Sequence, residues 1–173
     1  MNISELLSIE PFKWEAVGVA LLCGIIIGVE RQLRGKPVGI RTSSLITLGT
    51  YVFTAAAMAV MSDESDPSRI IGQVVTGVGF LGAGVMLSRD GVVIGVTSAA
   101  TIWMLAAIGV VIAIATPFTA IKLSVLVIVI LHGIELLETY SATLTRGVHS
   151  RYRSWRGATG DNHGEEQDKS PED

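Results

Sequence analysis

The residues with the most chemistry in them lie in one short stretch. Glu30 directly follows an apolar run, and Arg31, Arg34, Lys36 and Arg41 all come within the next eleven positions. At helical spacing Glu30 and Arg34 face one another as an i, i+4 pair. An acid among four cations beside an apolar run has two readings. It is either a basic membrane-edge loop with one compensating carboxylate, or a carboxylate that pairs with an arginine across helices and gates or senses something there. Further along, Gln73 and Thr76 put polar groups one and two turns into a second apolar segment. Thr97, Ser98 and Thr101 then lie on nearby faces of one or two turns, with Trp103 following. In lipid such hydroxyls bond to carbonyls of the preceding turn or across helices. The alternative is that Glu30, Gln73, Thr76, Thr97 and Thr101 line a small polar pathway.

Enzyme chemistry finds no foothold. His132, His149 and His163 are scattered, and none has an i, i+4 partner of the kind a metal site needs. The glycine cluster GVGFLGAG lacks the lysine and hydroxyl of a phosphate-binding loop. Asp63, Glu64 and Asp66 share one loop and read as a solvated turn more readily than as a divalent-cation site. No nucleophile stands near a base inside one apolar segment, so catalysis is not expected and no cofactor is implied. A net charge of −3 gives no support to nucleic-acid binding. Cys23, the single cysteine, cannot form an internal disulfide.

The elements that must position these residues are set by where charge is missing. Thr42 to Ser62, Ile70 to Ser88 and Gly91 to Ile121 carry no charged residue over 21, 19 and 31 positions. Runs of about 18 or more suffice to cross a bilayer as a helix. Dividing the longest at Thr116-Pro117, where proline disfavours helix in its predecessor, predicts an all-α integral membrane protein. Its five transmembrane helices fall near 12–29, 42–61, 70–88, 97–115 and 118–137. Lys13 and Glu15 then sit in the headgroup region beside Trp14, and Lys122 and Glu135 snorkel from the last helix. With five crossings, ten of the thirteen Lys and Arg residues fall on one side, which predicts the N-terminus outside and the C-terminus in the cytoplasm.

Nineteen glycines, many inside apolar segments, call for a packing explanation. Small residues let helix backbones approach closely in lipid, as Gly24-x-x-x-Gly28 and Gly91-x-x-x-Gly95 would allow. Gly77, Gly79, Gly82, Ala83 and Gly84 crowd into eight residues, so the third helix is expected to be packed within the bundle. A locally broken helix lining a substrate path is the alternative. Asp66 and Pro67 predict that helix's N-cap and first residue.

Three parts follow. Residues 1–11 form an extracytoplasmic segment without the basic, cleavable pattern of a secretory signal. Residues 12–137 form the membrane domain. Residues 138–173 form a cytoplasmic tail: Arg146 to Arg156, with Tyr152 and Trp155, suits an anionic membrane surface, and Gly157 onward is too poor in apolar residues to fold alone.

GVERQLRGKPVGIRT (Gly28 to Thr42), DPSRIIGQVVTGVGFLGAGVM (Asp66 to Met86) and GVTSAATIWMLAAIGV (Gly95 to Val110) together resemble the MgtC/SapB family of bacterial inner-membrane proteins. The resemblance covers about Gly24 to Ile130 and implies an N-out, five-span helical domain. It also implies a role in adaptation to low magnesium and, in some pathogens, in survival inside host cells. The family is commonly described as magnesium transport, while some members are thought to regulate membrane machines such as the ATP synthase. Carried onto this chain, its motif positions are Glu30, Arg31, Gly35, Lys36, Gly39, Arg41, Thr42, Asp66, Gln73, Gly77, Gly79, Gly82, Gly84, Thr97, Thr101 and Trp103. Many relatives continue into an ACT-like cytoplasmic domain where only 36 residues follow Leu137 here, so a short, SapB-like member is expected. Two functions remain open. One is a regulator acting through helix contacts in the lipid bilayer on another membrane protein. The other is a cation transporter, with Mg2+ as its ligand or cargo. Magnesium prefers several oxygen ligands. Only Glu30 offers a carboxylate near membrane depth, and a homodimer would supply two.

Overall fold

The computed structural model describes residues 8–62, 66–89 and 92–140. Asp63, Glu64, Gly91 and the tail from 141 onward, with its basic and acidic stretches, lie outside the described residues. Among the described residues there are five helices: α1 (Trp14–Leu33), α2 (Ile40–Ala59), α3 (Pro67–Gly84), α4 (Val96–Ile114) and α5 (Pro117–Tyr140). Two short strands, β1 (Leu87–Arg89) and β2 (Val92–Ile94), pair antiparallel between α3 and α4, with Ser88 opposite Val93. The chain divides into two units at Val129 and Ile130. The first holds α1 to α4, the hairpin and the start of α5. The described part of the second is the remaining helix to Tyr140.

α1, α2, α4 and α5 are each long and apolar enough to cross a membrane. α3 is not among them. Its 18 residues include Arg69, Gln73, Thr76 and five glycines, which dilute its apolar character. Large apolar side chains such as Leu45, Phe53, Phe80 and Val129 are exposed on the single chain, a distribution that lipid favours and water does not.

α4 is the centre of the first unit. Ser98, Thr101, Ile102, Leu105, Ala106, Ile108, Gly109, Val110 and Ile112 are buried, so most of its circumference is covered. α1 and α2 pack closely because Gly24 and Gly28 leave room: a Cβ added at Gly24 would lie 2.5 Å from Ser44 Cα, and one at Gly28 2.5 Å from Ile40 Cα. Gly109 does the same between α4 and α2, where an added Cβ would stand 2.6 Å from the Thr47 carbonyl oxygen. At the far end of α1, the Lys13 amide donates to the Tyr51 hydroxyl at 3.1 Å, and Phe12 meets the Tyr51 ring edge-on. Cys23 lies beside Ser124 of α5. Lys122 sits over the Phe118 ring, 4.7 Å from its centre.

The helix ends follow local chemistry. α1 runs past the apolar core to Leu33 and stops in a Schellman turn: Gly35 takes φ +61°, its amide reaches the Gln32 carbonyl, and the Lys36 amide reaches that of Arg31. Asp66 caps α3, its carboxylate accepting from the Ser68 amide at 2.9 Å, and Pro67 opens the helix. α3 ends at Gly84 rather than near 88 because the chain turns into the hairpin.

The expectation that α3 is enclosed by its neighbours is corrected. Of its residues only Val78 and Gly82 are buried. An added Cβ at Gly82 would meet Ala99 of α4 at 3.7 Å, whereas at Gly77, Gly79 and Gly84 it would find nothing within 4 Å. The helix leans on α4 along one edge, and a cleft separates it from α2.

Candidate functional site

The Schellman turn carries α1 into a polar cluster where its end meets the start of α4. Arg31 is 3% exposed. Its Nη2 donates to Ser98 Oγ at 2.8 Å, and its Nε has no partner among the described residues. Among the described residues Glu30 has no partner on another helix. Its Oε1 stands 2.8 Å from Arg34 Nε, one turn on in the same helix. That approach is an ion pair without hydrogen-bond alignment, and Oε2 finds no donor among the described residues although the side chain is only 10% exposed.

Two helix ends meet here. The carbonyl-rich end of α1 favours the charges of Arg31 and Arg34. The start of α4 opposes them, since Gly95 caps it without a side-chain acceptor. Gly95 is required at that position: it takes φ +95°, and a Cβ would collide with the Val85 carbonyl oxygen. Arg31 is therefore a buried cation bonded to a neutral hydroxyl, with the Glu30 carboxylate nearby as a favourable charge but not as a partner. That arrangement costs desolvation and fixes geometry more than it adds stability. Between the helices, Val38 takes φ +69°, strained for a β-branched residue. Its carbonyl accepts the Ser43 hydroxyl at 3.0 Å.

The remaining sequence-derived candidates fall in separate places. Thr42 and Gln73 line the cleft between α2 and α3, a space of about 880 Å³ walled chiefly by Leu45, Ile46, Phe53, Val74, Leu81 and Ile102, with Gly77 on its rim. Arg41, next to Thr42, is exposed. Thr76 is exposed on α3, its hydroxyl bonded to its own helix at the Gly72 carbonyl. Thr97 is exposed while Thr101 is buried, the latter donating to the Thr97 carbonyl at 2.8 Å. Glu30, Gln73, Thr76, Thr97 and Thr101 thus do not share one cavity. A second space of about 390 Å³ lies at the opposite end, beside Lys13, Glu15 and Tyr51. Among the described residues no group of three or more His, Cys, Asp or Glu side chains is placed to hold a metal ion.

Two features escaped the sequence reading. Ser98 was seen only as one hydroxyl among several, not as the acceptor for Arg31, and no local signal links residues 67 apart. Ser43, Thr47, Thr50 and Thr54 form a buried hydroxyl stripe along α2. Their i, i+4, i+7, i+11 spacing was a signal that could have found them. Thr47 and Thr54 each bond to the carbonyl one turn back, so the stripe packs without unpaired hydroxyls at those two positions.

Comparison with known proteins adds the family. The model of the MgtC family matches residues 17–140. "Putative magnesium transporter YhiD" of Escherichia coli (strain K12) is 47% identical over 92 residues, covering 49% of this chain and 42% of that protein. "Protein MgtC" of Salmonella typhimurium (strain LT2) is 44% identical over 84 residues, covering 49% and 36%. An uncharacterized protein of Haemophilus influenzae is 35% identical over 120 residues, covering 64% and 50%. The chain thus spans half or less of the length of these relatives. No solved structure matches. With most of its length matched by that one family model, the chain belongs to the MgtC family, and it is a multi-pass helical membrane protein.

Proposed function

We propose that this chain is a non-enzymatic protein of the cytoplasmic membrane that supports magnesium homeostasis and adaptation to low magnesium by contacting other membrane proteins through its helices. It crosses the bilayer five times, N-terminus outside, with α3 as the least enclosed crossing. The observation that carries this reading is the outer side of α3. Gly72, Thr76, Gly79 and Ala83 recur at i, i+4, i+7 and i+11, and all four are exposed on the single chain. In lipid such a stripe admits a partner helix at close range, where van der Waals contact drives association. The partner is another membrane protein, of which a proton-translocating ATP synthase is one example, or a second copy of this chain.

Cation passage is the competing function. It is less well supported because Glu30 is held by Arg34 and, of Glu30, Gln73, Thr76, Thr97 and Thr101, only Gln73 lines the cleft. Purified protein in liposomes, assayed for magnesium, potassium and proton flux beside Glu30→Gln, tests the choice. Flux at the level of empty liposomes is expected. Magnesium flux that vanishes in the variant overturns the regulator.

A further inference from the structure

The cleft between α2 and α3 runs from Thr42 to Ala57 along α2 and from Val85 to Ile70 along α3, roughly 22 Å at the α-helical rise. It is independent of the stripe used above. At about 100° per residue, Ile70, Val74, Leu81 and Val85, which line the cleft, lie on the opposite side of α3 from Gly72, Thr76 and Gly79, with Gln73 at the cleft's edge. Apolar walls of this extent do not hold water favourably, so in a bilayer the occupant is hydrocarbon. Gly49 and Gly77 keep the space open, since a Cβ on either would meet nothing within 4 Å.

The two ends differ in charge. At the Thr42 end stand Lys36 and Arg41, both exposed and neither in an ion pair among the described residues. The start of α2 adds to them: Gly39 supplies no side-chain acceptor, Gln32 Oε1 accepts only from the Ile40 amide at 3.4 Å, and the helix end keeps partial positive charge. At the other end Asp66 and Arg69 offset one another. An occupant with a hydrocarbon body and a negative head at one end matches this polarity. A helix from a second copy in the same membrane orientation does not, since it would bring its own Lys36 and Arg41 to the same end.

We infer that the α2–α3 cleft is a binding site for an anionic phospholipid, its acyl chain along the apolar walls and its phosphate at Lys36, Arg41 and the start of α2. The full chain, purified in detergent, is offered phosphatidylglycerol or phosphatidylcholine with identical acyl chains, and retained lipid is counted by native mass spectrometry. Phosphatidylglycerol is retained about tenfold or more over phosphatidylcholine by the wild type. The preference falls to parity in K36Q/R41Q. Gly49→Phe, which fills the cleft and leaves both cations in place, loses the bound lipid. Equal retention of the two lipids by the wild type overturns the site, as does a preference unchanged in K36Q/R41Q or in Gly49→Phe. A lipid-free dimer that Gly49→Phe dissociates assigns the cleft to a second copy and overturns it as well.

Discussion

Arg31 and Ser98, 67 residues apart in sequence, are joined by a 2.8 Å hydrogen bond from Nη2 to Oγ that ties the end of α1 to the first turn of α4. The bond does two jobs. It gives a buried guanidinium one of its few acceptors, and it fixes α1 against the helix around which the first unit is built. Ser98→Ala removes the acceptor while Arg31 stays in place, so the guanidinium loses its bond without leaving the interior. The expected cost is about 1–3 kcal/mol, read as a lower unfolding midpoint in detergent. An unchanged midpoint would show that water or lipid replaces Ser98 without loss.

The glycines divide into two groups with opposite expected responses. Gly24→Ala, Gly28→Ala and Gly109→Ala place a methyl group against backbone or Cβ atoms of a neighbouring helix at 2.5–2.7 Å, so helices must separate. Each should cost roughly 1–3 kcal/mol. Gly77→Ala and Gly79→Ala enter open space on an exposed helix and should be neutral or stabilise by up to about 1 kcal/mol. Thermal unfolding of all five variants in one detergent checks the contrast. Destabilisation by Gly79→Ala matching that by Gly24→Ala would place the third helix in a packed environment that the single chain lacks.

The cap on α3 should depend on pH. Asp66 accepts from the Ser68 hydroxyl at 2.7 Å and from its amide at 2.9 Å. These bonds, the hydroxyl's first, hold its carboxyl below the ordinary value of 3.8. Because the folded value lies below the unfolded one, the cap's contribution is complete above the unfolded value and is lost as pH falls through the folded one. Protection of the first α3 amides in hydrogen exchange should fall over that window in the wild type and stay flat in Asp66→Asn, which caps at any pH. Parallel behaviour of the two proteins would remove Asp66 from the explanation.

Much of this architecture was readable where the signal is local. Asp66-Pro67 marked the start of α3, Thr116-Pro117 separated α4 from α5, and Glu30 and Arg34 are the i, i+4 pair their spacing implied. Charge gaps located apolar cores but not helix ends, which is why α1 continues through Glu30, Arg31 and Gln32 to its glycine turn. The hairpin went unseen although the sequence Asp90-Gly91, directly before Val92-Val93-Ile94, is a turn signal. The glycine-rich third helix misled for a physical reason. Glycine in a membrane helix shows that something can come close, not which helix does. Gly24, Gly28 and Gly109 meet neighbours within this chain, whereas Gly77 and Gly79 do not.

The outer stripe of α3 is where the functional account is most exposed. Gly79→Leu adds a bulky side chain to that stripe, where an added Cβ meets nothing within 4 Å among the described residues. It is expressed in a bacterium whose own MgtC-family gene is deleted, and growth is followed at low magnesium beside the wild-type chain, with protein level and unfolding midpoint measured for both. Wild-type abundance and midpoint together with growth no better than the deleted strain is the result predicted. Growth equal to that of the wild-type chain would contradict it.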